Sequence, residues 1–241
     1  MGKLTDAIKH LIIVNVILFF LPQLLQLDLT NILALHFPKN EHFGFWQYGT
    51  YMFMHGSTMH LLFNMYGLWA FGTPLEQMWG KNKFLFFYFS TGIGAGLIYT
   101  LVDYYQFNGI YEQLIGMGVS ATDIQQILDS GKYNEGIIDL SNETMSQFYA
   151  LYHTPAVGAS GAVYGILVAF GIAFPNAKLA MIFFPVPIAA KYFIPLIILG
   201  DLFFGVTKYS VGNIAHFAHI GGALIGFIIA WYWKKNQFRI N

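Results

Sequence analysis

The chain of 241 residues has no cysteine, which excludes disulfides, thiolate metal sites and a cysteine nucleophile. Charge is nearly as scarce. Asp, Glu, Lys and Arg make up 10% of the residues, and twelve acidic against twelve basic residues leave no net charge, so nothing points to nucleic acid. There is no internal repeat and no low-complexity tract. Met1–Leu27 also lacks the small-residue cleavage site of a secretory signal, which predicts that it is retained as a first membrane span.

What the chain has instead is apolar surface. It is 56% hydrophobic and 18% aromatic, with a mean hydropathy of +0.53, the composition of a protein dissolved in lipid. Crossing ~30 Å of hydrocarbon takes about 20 apolar residues at 1.5 Å each. Six runs qualify or nearly do: residues 8–27, 57–78, 84–102, 161–174, 192–206 and 214–233, the fourth and fifth being short. The expectation is an all-α membrane protein, a single polytopic domain over residues 1–241.

Lys3, Lys9, Lys81, Lys83, Lys178, Lys191, Lys234, Lys235 and Arg239 fall on one side of this six-span arrangement, and only Lys39, Lys132 and Lys208 on the other. That asymmetry puts both termini in the cytoplasm. Trp231, Tyr232 and Trp233 ahead of Lys234 suit an aromatic belt at the last span's cytoplasmic end. Outside, the aromatic segment 28–56 is expected in the membrane interface. Residues 103–155 read as an acidic, water-exposed insertion, too small and too poor in apolar residues for a separate domain. Within it, Thr122 and Gln125 look like a capping box opening a short helix that Gly131 closes.

The fourth run covers only about 21 Å, so its helix has to start below the outer surface. The chain before it, in the stretch GASGAVYG (Gly158–Gly165), then enters the protein as non-helical backbone, which survives at membrane depth only when buried in protein or lining a wet cavity. Ser160 therefore sits at a recessed helix start, with Gly158 and Gly161 allowing a tight turn and close approach. Taken alone, the stretch reads more readily as a small-residue packing motif.

Other polar residues bear on that choice. His219 lies five residues into the last span, roughly 7 to 8 Å below its outer end and near the depth of Ser160. An ionisable side chain there is a functional candidate, and imidazole is the usual base for a serine nucleophile. Gly222 and Gly226 continue its face as a smooth stripe that suits contact with the fourth span. His60 and Asn64 lie one turn apart after Ser57, a plausible N-cap, and offer side-chain donors for an oxyanion. Tyr164, one turn after Ser160, is placed to pack on the His219 ring.

Four stretches, FWQYGTYMFMHG (Phe45–Gly56), HLLFN (His60–Asn64), GASGAVYG and AHIGGALIG (Ala218–Gly226), occur in the order and on the spans expected of the rhomboid intramembrane serine proteases, which the chain resembles from about Phe45 to Trp233. The resemblance implies a six-helix rhomboid-like bundle with a short recessed fourth helix. It implies Ser160 as nucleophile, His219 as general base and acid, His60 and Asn64 as oxyanion donors, Tyr164 as the residue orienting His219, and His55 as an auxiliary histidine near the site. The implied reaction is hydrolysis of a peptide bond in or beside a transmembrane segment, without metal or other cofactor. Partners would be single-span or other transmembrane substrates and the lipid bilayer, and the location a bacterial inner membrane.

The 103–155 connection is longer than the resemblance leads one to expect. Because the family works with a Ser/His dyad, Asp201 is expected to pack helices or bond backbone. The fifth span with the loop Lys208–Asn213 is the expected moving element, with Gly205 and Gly212 as hinges. Three other readings are a non-catalytic rhomboid-like binding protein, a metal site built from His55, His60, His216 and His219, and a transporter.

Overall fold

The computed structural model describes residues 3–133, 138–181, 184–207 and 215–236. The chain opens with α1 (Asp6–Leu24), whose free N-terminal amides are met by a carboxylate from far along the chain. Glu76, itself buried, accepts hydrogen bonds from the Ala7 and Ile8 amides at 2.8 and 3.1 Å and from the Thr5 hydroxyl. A negative charge suits the positive end of the helix dipole.

The connection that follows holds two single-turn helices, α2 (Thr30–Leu33) and α3 (Gln47–Thr50). Its backbone is stapled by the buried Gln47, which donates to the His42 carbonyl at 2.7 Å and accepts from the His36 amide at 3.1 Å. Satisfying these groups internally lets irregular backbone sit against the membrane-embedded bundle.

The second span is α4 (Thr58–Gly67), a π-helical turn (Leu68–Gly72) and α5 (Thr73–Trp79), run together. Ser57 caps it by accepting from the His60 amide at 3.2 Å, as the sequence suggests. Next, α6 (Lys81–Gly116) runs for 36 residues, about 54 Å at helical rise, and so far overshoots a ~30 Å core. Its C-terminal part lies in the segment read as an insertion. There it meets α7 (Ala121–Ser130) and α8 (Asn142–His153) around a small core of Phe107, Ile110, Leu114, Ile124, Leu128 and Phe148. This cap has a core of its own because α6 supplies much of it.

The capping box read at Thr122 and Gln125 is not what starts α7. Ser120 is the N-cap and accepts from the Asp123 amide at 3.1 Å, while Gln125 reaches one turn on to Asp129. A hydroxyl two residues earlier takes the cap because helical geometry already begins at Ala121. Gly131 does close the helix, in the left-handed conformation at φ +68°.

The fourth span, α9 (Ser160–Ala173), is apolar on every side and lies at the centre of the bundle, as a helix without a polar face must. After it comes an antiparallel hairpin, β1 (Lys178–Met181) and β2 (Phe184–Ala189), that the all-helical reading did not foresee. Then α10 (Ala190–Val206) and α11 (His216–Asn236) complete an all-α bundle. Of these, α1, α6 and α11 are each long and apolar enough to cross a membrane, while α9 has only 14 residues.

Glycines set the closest contact. A Cβ on Gly222 of α11 would stand 1.8 Å from the Gly161 carbonyl oxygen of α9, and one on Gly226 would stand 2.5 Å from the Gly165 Cα. Backbone touches backbone, the close approach that small residues permit between membrane helices. Gly222→Ala forces the two helices apart, and we expect it to cost about 3 kcal/mol or more, read as a marked fall in Tm in detergent.

Candidate active site

Ser160 is the first residue of α9, where helix amides have no partner within the helix. The strand-like chain leading to it is tied to the first connection: Leu35 and Ala156 exchange backbone hydrogen bonds at 2.9 and 2.8 Å, and the Gly158 amide donates to the Tyr51 carbonyl at 3.0 Å. Gly158 adopts φ +123°, and a Cβ there would lie 2.7 Å from the His60 ring. Conformation and space both require glycine at this position.

The glycine contact of α9 with α11 brings Ser160 and His219 together, with Oγ 2.8 Å from Nε2. Tyr164 stacks on the His219 ring, centroids 4.2 Å apart and planes within 11°. His60 borders the same turn. Asn64 is buried and gives one amide hydrogen to the His60 carbonyl at 3.0 Å, which leaves its second for another acceptor. His55 sits beside His60, ring centroids 5.1 Å apart, and neither of its ring nitrogens has a partner among the described residues. Burial, aided by neighbouring His60, pushes the His55 pKa down to about 4, so this ring is neutral at pH 7.

Asp201 departs from the sequence expectation. Its carboxylate neither packs passively nor bonds backbone: Oδ1 lies 3.1 Å from His219 Nδ1 and 2.6 Å from His216 Nδ1, and Tyr164 donates its hydroxyl to Oδ2. The reason is electrostatic, since a carboxylate on an apolar helix at this depth has to find polar partners, and α9 and α11 present three. Asp201, expected only to pack helices or bond backbone, and His216, named only in the rival metal reading, are the residues whose place beside His219 sequence reasoning did not assign. The signal was a lone intramembrane acid and a histidine one turn before His219.

Ser160, His219, His60 and Asn64 line a cavity of about 2300 Å³. It passes between the second span and α10, with Trp69 and Phe71 on one wall and Phe193 and Ile197 on the other. Gln106, Glu143 and Gln147 of the cap also line it, making the acidic segment part of the cavity wall. The loop Lys208–Asn213, expected to move with α10, lies outside the described residues.

Fold and site together define a polytopic helical membrane protein with a serine–histidine pair in a cavity between its helices. A profile of the Rhomboid domain matches residues 42–122 and 136–236, and the chain belongs to the rhomboid family. It is 27% identical over 185 residues to "Rhomboid protein 1, mitochondrial" of Saccharomyces cerevisiae, covering 76% of this chain and 40% of that one. It is 30% identical over 191 residues to "Presenilin-associated rhomboid-like protein, mitochondrial" of Homo sapiens, covering 77% and 38%. "Rhomboid protease AarA" of Providencia stuartii is 27% identical over 198 residues, covering 77% and 54%. The chain thus spans about two fifths to one half of the length of these relatives.

Glycine at 158 is open to a direct test against Gly118, whose φ of +84° is also positive but whose Cβ would meet open space. Gly118→Ala should cost about 1–2 kcal/mol of backbone strain. Gly158→Ala adds the collision with His60, and its Tm should fall clearly further.

Proposed function

We propose that the chain is an intramembrane serine endopeptidase that cleaves transmembrane substrates near the outer membrane face. The observation that carries this is the 2.8 Å contact between Ser160 Oγ and His219 Nε2 at the floor of a cavity between helices. His219 takes the Ser160 proton as Oγ attacks the scissile carbonyl. The negative charge that develops on the carbonyl oxygen is met by the Ser160 amide and by donors from His60 and Asn64. His219 then protonates the leaving amine, and a water entering through the cavity, deprotonated by His219, hydrolyses the acyl-enzyme, freeing the acid fragment and returning the proton to Ser160 Oγ.

Tyr164 fixes the plane of the His219 ring by stacking on it. Asp201 accepts from Nδ1, so that Nε2 is left as the proton acceptor facing Ser160. In this reading Asp201 is a positioning residue rather than a packing residue, which reverses the sequence expectation. A substrate helix must unwind to present its carbonyl, so segments weakened by glycine are the favoured class. The lysine asymmetry supports both termini in the cytoplasm, with the cavity opening outward. The mitochondrial relatives make the choice of membrane a matter for fractionation in the source cell.

In liposomes with a single-span reporter, Ser160→Ala and His219→Ala should each remove cleavage, and a chelator should not lower the wild-type rate. Cleavage surviving in Ser160→Ala would end the serine reading. Asp201→Asn keeps an acceptor oxygen but loses the charge. It should lower kcat on the order of 10²-fold with little change in KM, and a variant of near wild-type kcat would return Asp201 to a packing role.

A further inference from the structure

Asp201 is a buried carboxylate whose ion-pair partners among the described residues are two histidines, with no lysine or arginine. A charge at this depth calls for a compensating cation. One donor atom from each of Asp201, His216 and His219 lies within 4.8 Å of the other two. Nitrogen and oxygen ligands bound at roughly 2.0–2.1 Å to a tetrahedral Zn²⁺ stand about 3.3 Å apart. The Asp201 oxygen lies 2.6 and 3.1 Å from the two Nδ1 atoms, so small side-chain shifts would admit an ion.

His216 is not passing a hydrogen bond onward. Its Nε2 is buried without a partner among the described residues, and Nδ1, aimed at Asp201, is its engaged atom. Both histidines line the cavity, which gives an ion a way in.

We propose that Asp201, His216 and His219 form an inhibitory site for a divalent transition metal of the Zn²⁺ class. Two imidazoles and a carboxylate are a donor set such ions favour. A metal on His219 Nδ1 moves that ring's proton to Nε2, so no proton is lost from the ring. The nitrogen facing Ser160 then becomes a donor and cannot take the serine proton. Metal and base function compete for one imidazole. The inhibition, though not the binding, rests on the serine protease reading.

The test starts with the full Ser160→Ala chain in detergent, titrated with Co²⁺ and followed by visible absorption, with bound metal counted by equilibrium dialysis. One ion per chain is expected, with ligand-field bands. Both should be lost in His216→Asn, whose amide keeps a donor toward Asp201 but no imidazole lone pair, and in Asp201→Asn as a second variant. In the active chain, buffered Zn²⁺ should stop reporter cleavage and fluorophosphonate labelling of Ser160, with EDTA restoring both. The half-inhibiting concentration should rise at least about tenfold in His216→Asn. No uptake of Co²⁺ by the folded Ser160→Ala chain, or uptake unchanged in both variants, overturns the proposal. Uptake in Ser160→Ala beside a wild-type chain that never cleaves or labels would keep the metal site and overturn the protease reading.

Discussion

The approach of α11 to α9 is the constraint on which the rest of the structure depends. At Gly161 and Gly222 the two backbones meet with no room for a methyl group between them. Because Ser160 begins one helix and His219 precedes the contact on the other by a single turn, that spacing sets the serine–imidazole distance. Lipid exerts no hydrophobic pull to hold such helices together, so close packing and interhelical hydrogen bonds have to supply it. The site and the bundle's tightest contact are therefore one feature seen at two depths.

The second layer of order comes from polar groups that hydrocarbon cannot solvate. Glu76 closes the start of α1, Gln47 staples the first connection, and Asp201 ties α10 to Tyr164, His216 and His219. Each is a buried polar side chain whose partners lie on another element, and each fixes a joint that apolar packing alone would leave loose. The tie at Asp201 also means that α10, one wall of the cavity, is fastened to the histidine on its floor.

Much of this was legible in the sequence for stated reasons. The short run after Ser160 required a recessed helix start, and the Gly222/Gly226 stripe pointed α11 at α9. Tyr164, one turn beyond Ser160, was placed to meet the His219 ring. The partners of Asp201 were not legible because span arithmetic gives depth but not azimuth, and nothing in a lone acid says which neighbour its carboxylate will face. The cap was underestimated for a similar reason. Composition separated residues 84–102 from 103–155, whereas the backbone ran on as helix to Gly116 and carried Phe107, Ile110 and Leu114 to the core that α7 and α8 complete. The β1/β2 hairpin was hidden in a proline-rich stretch that reads as a connection.

That uninterrupted α6 gives the molecule two cores in two solvents. The larger one is surrounded by lipid, where helix association gains little from water, and the smaller is a water-driven cluster of Phe107, Leu114, Ile124 and Phe148. Heat capacity and urea sensitivity should belong mainly to the second, while lipid thickness and detergent choice act on the first. A single stiff rod spans both, so a change in the tilt of α6 within the bilayer is carried outward, over several turns of helix, as a displacement of the cap.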